Sequence, residues 1–94
     1  MKSHNKSLEQ LREEIDKLDN ELVSLFAKRM KIAEAVGKYK TQHGLQPLDN
    51  KRWKSVLESR ISLGNKVGLS SDFIRSIFKA IHKQSLLIQK NSQL

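Results

Sequence analysis

The sequence predicts an all-α protein whose chain folds into three helices: one very long, one short and one of medium length. Three observations carry that expectation. Apolar residues in the first part of the chain recur in alternating steps of three and four, the period of one helical face, except for one seven-residue gap. One proline and four glycines leave few breaks for a mostly β chain. Helix-capping residues then divide the chain into three segments. With 94 residues the chain is read as a single domain, residues 1–94.

The first helix is expected at about residues 7–43. Ser7 is a favourable N-cap with Gln10 at the capping-box position, and Glu9, Glu13 and Glu14 suit the positive end of the helix dipole. Leu8, Leu11, Ile15, Leu18, Leu22, Leu25, Ile32, Val36 and Tyr39 form the stripe, as in a coiled coil, and Gly37 reads as a tolerated weak point. At 1.5 Å per residue such a helix is roughly 50 Å long, more than the width of a compact domain of this size. One chain cannot cover both its ends, so an intertwined helical homodimer is expected. The stretch HGLQP breaks the helix at Gly44 and Pro47. Asp49 caps a second helix at about 50–63, with Trp53, Val56, Leu57 and Ile61 on its apolar side. Gly64 and Gly68 bracket a turn, and Ser70 caps a third helix to about residue 90, with Phe73, Ile74, Ile77, Phe78, Ile81 and Ile88 inward. Residues 1–6 and 91–94 are expected to fray.

Composition narrows the chemistry. Apolar residues are 37% and charged residues 30% of the chain, a thin core that a second chain would complete. No cysteine is present, which excludes disulfides, thiolate metal sites and cysteine nucleophiles. No apolar run approaches the ~20 residues of a membrane span, and the start MKSHNKSLEQ lacks the apolar core of a signal peptide. A cytoplasmic protein without membrane partners is expected. The net charge of +8 is uneven: residues 1–27 sum to −2, residues 28–66 to +7 and residues 67–94 to +3. Central positive charge implies an anionic partner, either nucleic acid or a small anion.

The informative residues interrupt the apolar stripes. Arg29 fills a seam position between Leu25 and Ile32, where a charge is costly unless an anion pairs with it. A buried salt bridge within the protein is the plain alternative. Lys40 lies almost three turns further on the same face, about 16 Å along the axis, so both side chains can converge on one small anion. It could equally be one more solvated lysine. Arg12 sits beside Leu11, roughly 25 Å from Arg29 along a rigid helix. The two can grip one ligand only if an antiparallel partner helix supplies its own Arg12; otherwise Arg12 pairs with Asp16. On the third helix Ser85 and Gln89 are uncharged polar groups one turn apart on an inward face. Arg52 stands one turn from Asp49, where a local salt bridge is the simple reading.

Several chemistries are set aside. No inward pair of carboxylates suggests two-acid hydrolysis. His4, His43 and His82 lack metal-ligand spacing, so no metal site is expected. His82 and Ser85 are three apart, but no third group orients them as a hydrolytic dyad. No glycine-rich phosphate loop is present. What remains is a set of cations with amide and hydroxyl partners, able to bind a dianion and act by electrostatics alone.

The segments LREEIDKLDNELVSLFAKRMKIAEAVGKYK, PLDNKRW and IHKQSLLIQ together resemble the all-helical chorismate mutase family over about residues 7–90. The ordered set Arg12, Arg29, Lys40, Asp49, Arg52, Ser85 and Gln89 carries the resemblance. The RW and IHKQS variants look most like mutase domains fused to the synthase of 3-deoxy-D-arabino-heptulosonate 7-phosphate, so a fused or partner shikimate-pathway enzyme is implied. The resemblance implies an intertwined homodimer with two shared active sites, chorismate as substrate and no cofactor. Arg12 would hold a substrate carboxylate in the partner's site, and Arg29 would hold carboxylate in its own, assisted by Ser85. Lys40 and Gln89 would bond the ether oxygen of the breaking carbon–oxygen bond. Asp49 would contribute around the ring hydroxyl, and Arg52 would line the site. One residue departs from the pattern: many members place there a glutamate that contacts the ring hydroxyl, and this chain has Trp53, which accepts no hydrogen bond.

The implied reaction is the one-step rearrangement of chorismate to prephenate in aromatic amino-acid biosynthesis, with negative charge gathering on the ether oxygen. Three alternatives stand beside it. An isochorismate–pyruvate lyase would use a similar cationic site. A basic helical nucleic-acid-binding dimer would explain the charge, although Arg29 and Lys40 follow the apolar stripe and no recognition motif is present. A purely structural coiled coil would leave the inward polar set without a role.

Overall fold

The computed structural model describes residues 5–92. They form three helices, α1 (Leu8–Gln42), α2 (Asn50–Lys66) and α3 (Ser71–Asn91), and no strand. His4 and most of the ends expected to fray lie outside the described residues; within them, Lys6 pairs with Glu14 at 2.7 Å and Ser92 caps α3.

Local chemistry sets the boundaries. The Ser7 hydroxyl accepts from the Gln10 amide at 3.1 Å, and the Gln10 side chain accepts from the Ser7 amide at 2.8 Å, a reciprocal capping box. Asp49 and Ser70 cap α2 and α3 by accepting from the amides of Arg52 and Phe73. Helices α1 and α2 both end in a glycine of positive φ, Gly44 at 67° and Gly68 at 88°. The next amides, of Leu45 and Leu69, bond back to the carbonyls of Lys40 and Gly64, which satisfies carbonyls that the helix ends would leave unpaired.

Helix α3 packs against both others, along the C-terminal half of α1 and along α2. Two glycines allow the close approach. A Cβ on Gly37 would stand 2.7 Å from the Gln89 Cα and 2.9 Å from its carbonyl oxygen, so only glycine lets α1 meet the α3 backbone here. A Cβ on Gly64 would stand 2.5 Å from Ile74 Cγ1. Both corrections have one cause: a glycine read as a weak point or a turn is a contact surface. Accordingly α2 runs through Gly64 to Lys66, beyond the end expected at residue 63.

The core is small. Ala33, Val56, Ile74 and Ile81 are its buried apolar residues, with Ser85 the buried polar one. Phe73, expected inward, is half exposed. The N-terminal half of α1 leaves Leu8, Leu11, Ile15, Leu18, Leu22 and Leu25 uncovered. The chain measures 57 × 25 × 15 Å with a radius of gyration of 17.2 Å, against about 12 Å for a compact chain of this length. Among the described residues no helix is long and apolar enough to cross a membrane.

Candidate active site

A cavity of about 400 Å³ opens between the C-terminal half of α1, the start of α2 and the C-terminal half of α3. Each helix contributes side chains by its own period. Arg29, Lys40 and the apolar Ile32, Ala33 and Val36 come from α1. Helix α2 and its cap supply Asp49, Arg52, Trp53, Val56 and Arg60, and α3 supplies His82, Ser85 and Gln89.

Seven of the eight residues singled out from the sequence therefore meet at one cavity. Arg12 does not: it is exposed on the free half of α1. The salt bridges offered as simple alternatives are absent among the described residues, whose only ion pairs are Lys6–Glu14 and Arg75–Asp72. Arg29 instead donates through Nη1 to the Ser85 hydroxyl at 2.9 Å, and that hydroxyl, buried, lies 3.7 Å from Met30 Sδ. Arg52 meets Asp49 only through its backbone amide, at 2.9 Å.

Lys40 is held at two points. Its Nζ donates to the Pro47 carbonyl at 2.6 Å and to Gln89 Oε1 at 3.0 Å. An ammonium has three donors, so one N–H stays available. Because the Gln89 carbonyl oxygen faces Lys40, its amide nitrogen carries two further donors. The first turn beyond α1 and the end of α3 thus fix two donor groups side by side.

Apart from Asp49 at the exposed rim, the charged side chains around the cavity are cationic. Burial, and then the charges of Arg60 and Arg52, push the Arg29 pKa below its ordinary value. A bound anion would relieve that cost. His82 is likewise lowered, by burial and by the charges of Arg29 and Lys40, so its imidazole is neutral at pH 7. It lies flat on Trp53, with ring centroids 3.9 Å apart and planes 8° from parallel.

Three features have no site role in the sequence reading: His82, weighed only as a metal ligand or hydrolytic dyad, Arg60 and the Pro47 carbonyl. Two had a signal in the spacing. His82 precedes Ser85 by three and Gln89 by seven, and Arg60 follows Trp53 by seven, so each continues a face already marked. The Pro47 carbonyl had none, because a backbone acceptor is invisible in side-chain patterns.

The fold and cavity define a class: a three-helix protein whose elongated first helix carries a cationic, amide-lined cleft suited to a small dianion. The family model for chorismate mutase type II matches residues 11–90, and the chain belongs to that family. It is 40% identical over 83 residues to the T-protein of Haemophilus influenzae, covering 88% of this chain and 22% of that protein. It is 37% identical over 80 residues to the bifunctional chorismate mutase/prephenate dehydratase of Escherichia coli K12, covering 85% and 21%. The corresponding bifunctional protein of Buchnera aphidicola from Acyrthosiphon pisum is 33% identical over 86 residues, covering 92% and 22%. The chain thus spans about a fifth of the length of the curated relatives it matches.

Proposed function

We propose that this chain rearranges chorismate to prephenate, as a homodimer whose active sites are shared between chains. The carrying observation is the cavity's set of cations without carboxylate partners among the described residues, Arg29, Lys40 and Arg52, beside the amide of Gln89. Its volume of about 400 Å³ suits one small molecule.

In the reaction the ether carbon–oxygen bond breaks while a carbon–carbon bond forms between the enol-pyruvyl methylene and the ring. No proton, electron or group is exchanged with the protein. Arg29, held by Ser85, pairs with one carboxylate, and Arg12 of the partner subunit pairs with the other, which selects the folded conformer. The free N–H of Lys40 and the Gln89 amide nitrogen donate to the ether oxygen. Charge there is greater in the transition state than in the ground state, so those bonds lower the barrier. Arg52 and Asp49 line the ring's side, and Trp53 walls it. No cofactor enters this scheme.

Two observations support the dimer. The uncovered stripe from Leu8 to Leu25 needs an apolar partner. An antiparallel copy would also bring the acidic half of α1 against the basic half of the other chain. Two relatives join a mutase and prephenate dehydratase in one chain by name; for this chain we extend the proposal to a mutase unit working beside a further shikimate-pathway enzyme. The test is the loss of chorismate absorbance with purified protein, followed by identification of the product. Prephenate supports the reading. Turnover only of isochorismate, with release of pyruvate, replaces it with the lyase, and no turnover of either overturns it.

A further inference from the structure

We propose that His82, laid flat on Trp53 inside the cavity, binds the uncharged ring hydroxyl of the substrate and so sets specificity for a hydroxylated ring. The inference rests on the mutase reading, because it takes the substrate to be a ring bearing one carboxylate, one enol-pyruvyl ether and one hydroxyl.

The cavity is rich in donors, from Arg29, Lys40, Arg52, Arg60 and Gln89. Its acceptors are mostly engaged. Ser85 Oγ takes Arg29, Gln89 Oε1 takes Lys40, and the Pro47 carbonyl takes Lys40 as well. Asp49 uses Oδ1 to cap α2 and stands at the exposed rim. A hydroxyl held inside the cleft, away from Asp49 Oδ2 at the rim, can accept with ease but has few places to donate. His82 is the remaining acceptor in the half-buried wall, and among the described residues its ring nitrogens make no hydrogen bond.

Geometry fixes the ring. The Trp53 indole covers one imidazole face at 3.9 Å and 8°, a stack that does not engage the in-plane ring nitrogens. His82 shares the α3 face of Ser85 and Gln89, so it addresses the same cavity one and two turns along. A neutral imidazole carries one donor and one acceptor nitrogen, which suits a hydroxyl that both gives and receives. Burial first, and then the charges of Arg29 and Lys40, favour that form. Trp53, which has no acceptor of its own, thereby serves as the platform for the residue that has one.

The test compares kcat/KM on chorismate and on its analogue lacking the ring hydroxyl, for the full chain and for His82→Phe, which keeps an aromatic ring on Trp53 and removes both nitrogens. His82→Phe should lose about tenfold on chorismate, the scale of one hydrogen bond, and less than about twofold on the deoxy analogue. Loss by one factor on both substrates, or on neither, overturns the assignment. If His82→Phe loses helical circular dichroism, His82→Leu carries the same comparison with the same outcomes. A wild-type chain inert toward chorismate overturns the mutase reading and this inference together, whereas an active wild type with an indifferent His82 overturns this inference alone.

Discussion

In the proposed reaction Lys40 concentrates the chemistry. Two of its three donors are tied to Pro47 and Gln89, so the third is aimed by the fold. Lys40→Ala should lower kcat by at least ~10²-fold, the scale of removing one preorganised electrostatic donor. Its thermal melt should stay close to that of the parent, and a variant that keeps full turnover contradicts the role. His82 makes a second residue-scale prediction. Its folded pKa is depressed, so the unfolded chain takes up a proton first as pH falls below the ordinary histidine value. Stability should therefore rise with pH through that window and level off above it. Denaturant unfolding at pH 5 and 7 checks this: the gain in wild type should exceed that in His82→Phe, and equal gains contradict the depressed value.

The helix α1 gives the element-scale lesson. Its length and face were legible because a three–four apolar repeat has only one regular reading, and Arg29, Lys40, Ser85 and Gln89 were legible because they break such faces. The roles of Gly37 and Gly64 were not legible. A glycine that lowers helix propensity and a glycine that admits another helix look alike until the partner is placed. His82 and Arg60 escaped for a related reason: one charged or aromatic-like residue on a mixed face has many ordinary explanations. The glycine contact yields a prediction. Gly37→Ala gains about 1 kcal/mol in intrinsic helix propensity, but its Cβ would press on the Gln89 backbone at 2.7 Å. Overpacking typically costs about 1–3 kcal/mol, so the melting temperature should fall. Activity should fall with it, as Gln89 moves away from Lys40. A higher melting temperature would show that α1 and α3 do not meet closely there.

For the whole molecule, the elongated shape and the uncovered N-terminal half of α1 belong together. A monomer of this form leaves a leucine stripe in water; an antiparallel pair buries it and carries Arg12 toward the other chain's cavity. Leu18→Glu should shift sedimentation from dimer toward monomer, with turnover lost in parallel. Mixing two inactive variants tests the shared site most directly. In the proposed dimer, Arg12→Ala and Lys40→Ala homodimers each lack one cation in every site. In a mixed dimer one site receives both lesions and the other receives neither. Random reassortment makes about half the dimers mixed, so C₂ symmetry predicts that about a quarter of wild-type chorismate turnover returns after co-unfolding and co-refolding. Mixed dimers proven by mass spectrometry, yet as inactive as their parents, would contradict the shared cationic site.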